Sequence, residues 1–525
     1  MPLKTSHKDT FVIDNLPAEH EWPEFAFKLP EVNYPDGLNA ATELLKADPD
    51  KVAILSDEKN WTYGEVDKTS SQVAHVLVED MGLVPGNRVL LRAPNSPMMA
   101  VCWLAVLKAG GVAVPTMPML RAVELKKVIK KAKVSHALCD SRMGDELNFE
   151  NMMTFHKGEL EEKLASKPEN FEIVDTAATD PALLAFTSGT TGKPKACVHF
   201  HRDIIAMADT FSRHILKPKA HDIFAGTPPL SFTFGLGGLL VFPFAVGASS
   251  VLNETKGIEA VAAEIEKFKV TTLFTSPTAY RALLGFIDKY DFSSLKKCVS
   301  AGETLPRATS DAWTKATGVR PIDGIGATEM IHVFISASGD DIRPGATGKV
   351  VPGYEAVVLD ENYHPLPRGN TGFLAVKGPT GCRYLDDDRQ RKYVKNGWNL
   401  TGDIFHQDED GYFWFKARSD DMIVSGGYNI SGPEVEEGLL SHPGVFECAV
   451  VSAPDEKRGN IAKAFVVLYQ EFESSPEMIK TLQDHVKATI APYKYPRAIE
   501  FISELPKTET GKIQRFKLRQ QEQEK

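Results

Sequence analysis

Four apolar residues, Leu183-Leu184-Ala185-Phe186, run into Thr187-Ser188-Gly189-Thr190-Thr191-Gly192-Lys193-Pro194-Lys195. The first four have the length and texture of a buried strand. The nine residues after them make a loop of small residues, hydroxyls and lysines. Such a loop lets backbone N–H groups and Ser/Thr side chains surround a polyphosphate, with the lysines adding positive charge. It is not a Walker A loop, because Lys193 precedes a proline instead of Ser or Thr and the glycine spacing differs. A solvated turn would use the same residue types, so spacing alone leaves the two readings level.

On both sides of this segment, helices and strands alternate. Helices are expected over Leu38 to Lys46, Tyr63 to Glu79, Met98 to Leu107 and Ile258 to Phe268. Strands are expected over Val52 to Leu55, Arg88 to Leu91, Ala113 to Pro115 and Val270 to Phe274. Ser96 is a natural N-cap with Pro97 at the first helical position. This alternation predicts parallel α/β layers. Leu120 to Val134 carries Lys126, Lys127, Lys130, Lys131 and Lys133 with Val123, Val128, Ile129 and Ala132 between them, and reads as a helix with a solvated basic face. From Phe373 onward the pattern shifts to short strands with turn signals. A boundary near residue 420 leaves a C-terminal domain with helices over Val435 to Leu440 and Met478 to Thr489, and strands over Glu447 to Ser452 and Ala464 to Tyr469.

Composition removes several classes. Apolar residues make up 42% and charged residues 25%, so disorder is excluded as the dominant state. The net charge of −10 argues against binding nucleic acid through overall charge. Six scattered cysteines, of which the nearest pair, Cys102 and Cys139, are 37 apart, form no CxxC or zinc-knuckle spacing and read as reduced thiols of a cytoplasmic protein. The N-terminus lacks the apolar run of a signal peptide. Ile223 to Asn253 has no charged residue, yet its five glycines and three prolines suit buried strands and loops better than a membrane span.

The loop at 187–195 resembles the signature of the adenylate-forming superfamily, which includes acyl-CoA synthetases, peptide-synthetase adenylation domains and luciferases. Further strings match in order: Leu104 to Pro115, Gly326-Ala327-Thr328-Glu329, Thr401-Gly402-Asp403, Arg418 to Asp421 with Ser425 to Asn429, and Pro506-Lys507-Thr508 to Gly511-Lys512. The resemblance implies a large N-terminal α/β domain of layered sheets and helices, residues 1–419, that binds ATP and the acid. It also implies a small mobile α+β C-terminal domain, residues 420–525. The implied activity joins a carboxylic acid to coenzyme A in two steps, through an acyl-adenylate, with ATP and Mg²⁺.

By this resemblance, Thr187 to Lys193 and Lys195 hold phosphates, and Gly302, Glu303, Asp323 and Gly324 wall the adenine slot. Asp403 accepts the ribose hydroxyls, and Arg418 lies near ribose and phosphate. Thr328 donates to the α-phosphate and Glu329 holds Mg²⁺, a hard cation suited to carboxylate oxygen. Lys512 is the catalytic cation between carboxylate and α-phosphate. Asp420 is the hinge, and Ser425, Gly426 and Gly427 line the CoA tunnel. The acid pocket falls on Phe232, Phe234, Gly302, Gly326, His332 and Val333. The strings at 323–334, 491–497 and 505–519 are similar to benzoate and 2-aminobenzoate CoA ligases. Medium-chain fatty acids and carrier-protein loading are the alternatives, and a luciferase-type oxygenase a remoter one. The partners implied are small molecules, acting on a monomer or a homodimer.

Overall fold

The computed structural model describes residues 4–187, 194–254, 257–418, 422–425, 428–455, 458–490, 492–507 and 513–524. A six-stranded sheet runs in the order Met152–Phe155, His136–Asp140, Arg88–Arg92, Val112–Thr116, Pro181–Thr187, Lys195–Phe200. All neighbours are parallel except the last pair, which is antiparallel. Arg88–Arg92, Val112–Thr116 and His136–Asp140 are buried at every position, as strands covered on both faces must be. The helix Pro97–Lys108 starts where expected, with Ser96 Oγ accepting from Met99 N at 3.2 Å. Its last ten residues are buried, Lys108 included. That ammonium donates to Asp67 Oδ1 at 2.6 Å, Asp67 O at 2.8 Å and Ser71 Oγ at 2.9 Å, which satisfies the buried charge.

A second sheet of nine strands runs Lys349–Val350, Val333–Ser336, Ile322–Gly326, Lys297–Ser300, Thr272–Thr275, Ile223–Gly226, Ser249–Val251, Val52–Leu55, Trp61–Thr62. A third, antiparallel sheet contains Glu355–Leu359, Thr371–Lys377, Trp398–Gln407, Val394–Lys395 and Phe413–Arg418. One hydrophobic cluster joins all three, drawing Leu91 and Leu183, Phe274 and Val333, and Leu374 and Phe405 from them in turn. The smaller C-terminal unit packs the helices Gly432–Leu440, Pro476–Thr489 and Arg515–Gln523 on the strands Val445–Asp455, Gly459–Leu468 and Ala498–Phe501. It has its own core of Val435, Leu439, Val450, Ala464, Leu482 and Val486. Large α/β and small α+β parts are therefore both present, as expected. The expected boundary at residue 420 lies outside the described residues.

One local expectation is corrected. Residues 233–245 are helical rather than strand and loop: Thr233–Leu236, a π-helical turn Gly237–Val241, then Phe242–Ala245. Glycine disfavours a helix by about 1 kcal/mol, but here close approach requires it. A Cβ on Gly235 would lie 2.0 Å from Pro229 O, one on Gly237 2.5 Å from His332 Cδ2, and one on Gly238 2.5 Å from Phe274 Cδ1. In the basic helix Ala122–Ala132 the buried residues are Leu125, Val128 and Ala132, while Val123 is 71% exposed. Among the described residues no helix is long and apolar enough to cross a membrane. All six cysteines are free and buried.

Candidate active site

Alternation along Lys195–Phe200 sets Lys195, Cys197 and His199 on one face of the strand. Thr187 stands opposite Lys195 across the hairpin. Ser188, Gly189, Thr190, Thr191, Gly192 and Lys193, the centre of the expected phosphate loop, lie outside the described residues. Facing this strand, Ile322–Gly326 ends in a 3₁₀ turn, Thr328–Met330. Glu329 is buried there. The Tyr384 hydroxyl donates to Glu329 Oε1 and accepts from Lys195 Nζ at 3.0 Å, while Lys195 Nζ is 3.9 Å from Glu329 Oε1. Burial, with Cys197 and Glu329 beside it, pushes the Tyr384 phenol far up, so the hydroxyl remains a donor. The carboxylate is thus held beside a cation at the mouth of the hairpin, a hard oxygen donor of the kind Mg²⁺ takes.

Ile331 closes the turn with φ +65 and ψ −38, a conformation that β-branched residues avoid. Strain of this kind costs about 1–3 kcal/mol and persists where the surroundings over-determine it. Here Thr328 O accepts from Ile331 N at 3.1 Å and pairs with His199 Nε2 at 2.8 Å, and Met330 O accepts from Thr380 Oγ1 at 2.9 Å. The reversal puts Glu329 with Lys195 and Tyr384 and sends His332 into a separate aromatic group.

The residues expected to wall the adenine come together through strand register. Lys297–Ser300 and Ile322–Gly326 are parallel, with Ser300 opposite Asp323. Gly302-Glu303 and Asp323-Gly324 therefore leave neighbouring strands together. Gly302 has φ +90, and Glu303 Oε2 accepts from Thr278 Oγ1 at 2.8 Å. Burial pushes the Asp323 carboxyl up to about 7, opposed by the Gly324 N–H. In the third sheet Asp403 and Arg418 stand opposite each other, with Arg418 Nη1 3.3 Å from Asp403 Oδ1. Asp403 is buried and Arg418 half-exposed, an acceptor set in the floor with a cation over it.

The expected acid-pocket residues only partly converge. His332 is buried among rings, with centroids 5.4 Å from Phe211, 5.8 Å from Phe234 and 4.6 Å from Phe242. Phe234 also lies 5.5 Å from Phe274. Neither imidazole nitrogen has a partner in hydrogen-bond geometry among the described residues, although the Phe234 backbone acts on the ring. Burial pulls the ring down to about 3, so it is neutral at physiological pH. Val333 packs where Gly324 leaves room, since a Cβ at 324 would meet Val333 Cγ1 at 2.7 Å, and one at Gly326 would meet His332 O at 2.8 Å. Phe232, half-buried at the helix start, has no ring contact among the described residues and does not join the group.

Ser425 is buried. Asp420, Gly426, Gly427 and Lys512 lie outside the described residues. Arg515 donates to Glu436 at 2.7 and 3.0 Å, and the Glu303 carboxylate also acts on it. Sequence spacing does not single out Tyr384, His199 or Ile331. Tyr384 sits in an unremarkable polar string, Cys382 to Asp388, and only alternation from Lys195 points to His199.

The three sheets thus bring together a carboxylate-and-cation cluster at Glu329, Lys195 and Tyr384, a buried carboxylate with an arginine over it at Asp403 and Arg418, and an aromatic group around His332. A model of the AMP-binding enzyme family matches residues 42–383, and that of the AMP-binding enzyme C-terminal domain matches 434–512. The chain belongs to this family, the adenylate-forming superfamily, in its acyl-CoA synthetase branch. It is 34% identical over 492 residues to the mitochondrial acyl-coenzyme A synthetase ACSM3 of Mus musculus, covering 89% of this chain and 85% of that protein. It is 33% identical over 512 residues to the benzoate–CoA ligase of Thauera aromatica, covering 93% and 97%. The crystal structure of the anthranilate CoA ligase AuaEII in complex with anthranoyl-AMP superposes with a TM-score of 0.90 at 34% identity, covering 94% of this chain and 99% of that one. The adenylate-forming fold and the use of ATP follow from membership.

Proposed function

We propose that the chain is an AMP-forming acid:CoA ligase for an aromatic acid of the benzoate or 2-aminobenzoate type. The observation that carries the aryl assignment is the ring group of Phe211, Phe234, Phe242, Phe274 and His332, together with close likeness to ligases named for those acids. Flat rings prefer offset or edge contacts worth about 0.5–1.5 kcal/mol beyond area burial. A medium-chain acid would fill the same wall without using that geometry.

In the first step a carboxylate oxygen attacks the α-phosphorus of ATP and pyrophosphate leaves. Two anions must meet, so the site has to neutralise charge where it accumulates. Thr328 donates to the α-phosphate, Thr187 to Lys193 and Lys195 hold the triphosphate, and Lys512 bridges carboxylate and phosphate. Asp403 accepts from the ribose hydroxyls with Arg418 above it. Gly302, Glu303, Asp323 and Gly324 wall the adenine, and Gly326, Val333 and Phe232 complete the acid side. The Glu329 carboxylate, oriented by Tyr384, would hold Mg²⁺, which supplies charge neutralisation on the phosphates when bound. In the second step the CoA thiol attacks the acyl carbon and AMP leaves. The domain of residues 420–525 turns about Asp420 against residues 1–419, replacing Lys512 at the cleft with Ser425, Gly426 and Gly427. The reaction takes place in the cytosol on small molecules.

The test is pyrophosphate exchange into ATP with benzoate, 2-aminobenzoate and octanoate, followed by CoA addition. Aryl acids should exceed octanoate in kcat/KM, and CoA should convert exchange into net thioester. Faster turnover of octanoate would replace the aryl assignment with a medium-chain one. Thioester formed on a carrier protein but not on CoA would reassign the acceptor.

A further inference from the structure

The Thr328–Met330 turn carries both groups assigned to the phosphates, yet Ile331 shows that it is strained, so something outside the turn must hold it. Tyr384 holds the Glu329 side chain, but it does not fix where the backbone of Thr328 lies. His199 is fully buried four residues along the strand from Lys195, on the same face, and its Nε2 is 2.8 Å from Thr328 O. A carbonyl only accepts, so Nε2 must bear the proton. The other nitrogen, Nδ1, faces Asp203 Oδ2 at 3.8 Å, also fully buried. Asp203 Oδ2 is in turn paired with the buried guanidinium of Arg383, the residue next to Tyr384, and it accepts from Phe200 N at 3.0 Å. A line of buried groups therefore runs from Arg383 through Asp203 and His199 to the Thr328 carbonyl, beneath the turn.

We propose that His199 is a positioning residue for the adenylation step, holding the Thr328–Glu329 turn in its reactive geometry by donating from Nε2 to the Thr328 carbonyl. This rests on the roles proposed for Thr328 and Glu329 at the phosphates. His199 touches no substrate; it acts through the backbone that aims the Thr328 hydroxyl. The Asp203 carboxylate, held by Arg383 and the Phe200 N–H, lies on the other side of the ring, so the ring is enclosed between that buried pair and the turn.

Three variants test it. His199→Leu keeps the apolar bulk and removes the donor. His199→Gln places an amide N–H near the position of Nε2. Expected for His199→Leu are a fall of about 5–50-fold in pyrophosphate exchange and a severalfold rise in the Kd for ATP by calorimetry, the size expected from one lost hydrogen bond plus loosening of the turn. KM for the acid should move little. His199→Gln should recover most of both losses while the two variants have similar Tm. Equal damage in the Leu and Gln variants, or full activity in His199→Leu, overturns the inference. Glu329→Gln is the control for the underlying reading: if it retains full exchange, that reading falls, whereas its loss alongside an unimpaired His199→Leu removes only the role of His199. Should neither His199 variant fold, ¹⁵N spectra of histidine-labelled parent protein decide, since an Nε2 of His199 that bears no proton contradicts the donation and a protonated Nε2 supports it.

Discussion

At Asp323 burial lifts the carboxyl from 3.8 to about 7, and the Gly324 N–H only partly opposes it. A carboxyl raised in the folded protein keeps its proton at pH values where the unfolded chain has lost it. Its favourable contribution is full below pH 3.8 and is lost as pH rises to about 7, so the ionised form costs stability above that. Asp323→Asn should therefore raise Tm at pH 8, by an amount corresponding to roughly 1–3 kcal/mol, and the gain should vanish near pH 4. Thermal melts of the ligand-free protein across that range check it. A gain that is constant with pH would show that Asp323 is already ionised at no cost. His332 is the opposite case: burial holds it neutral, down to about 3, so ordinary pH leaves its ring uncharged and able to pack against phenyl groups.

Among the elements, the helical stretch Thr233–Ala245 shows packing overruling propensity. Gly237→Ala would ordinarily stabilise a helix by about 1 kcal/mol. Here the added methyl would meet His332 Cδ2 at 2.5 Å and Nε2 at 2.6 Å. Overpacking of this order costs about 1–3 kcal/mol. Gly237→Ala should lower Tm and raise KM for the acid with little change in KM for ATP. Gly285→Ala, where a Cβ meets nothing within 4 Å, should leave both unchanged. A stable Gly237→Ala enzyme with parental acid KM would mean that His332 is not a wall of the acid site. The turn Thr328–Met330 shows the same at smaller size: beside its strained Ile331, His199 and Thr380 contact the carbonyls on either side of Glu329.

Across the whole molecule, the small domain keeps a core of its own and, among the described residues, shares no cluster residue with the large one. The two are joined by polar contacts: Arg281 Nη2 donates to Val445 O at 2.5 Å, and Ser431 Oγ donates to Lys416 O. An interface of this kind can be exchanged for another at modest cost, which is what the proposed domain turn requires. If Asp420 is the hinge proposed above, Asp420→Pro should leave adenylation near the parental rate and reduce thioester formation at least tenfold, because proline fixes φ there. Lys512→Ala should do the reverse, slowing adenylation about 10²–10³-fold while sparing transfer from supplied acyl-adenylate. Separate assays of the half-reactions check both. Equal loss in both halves for either variant would contradict the alternation.

The sequence alone determined the layered α/β class, the capped helix Pro97–Lys108 and the family, because these are written in local spacing: apolar period, caps and contiguous loop strings. The pairing of Asp403 with Arg418 came from the strand register of the folded chain. The sequence could not show that Tyr384 and Lys195, 189 positions apart, share one hydroxyl contact, or that glycines at 235–238 form a helix. Nor could it show that a histidine on a strand holds a carbonyl 129 positions away. Those facts depend on which surfaces meet in three dimensions, where contact distance and burial, rather than neighbouring residues, set the energy.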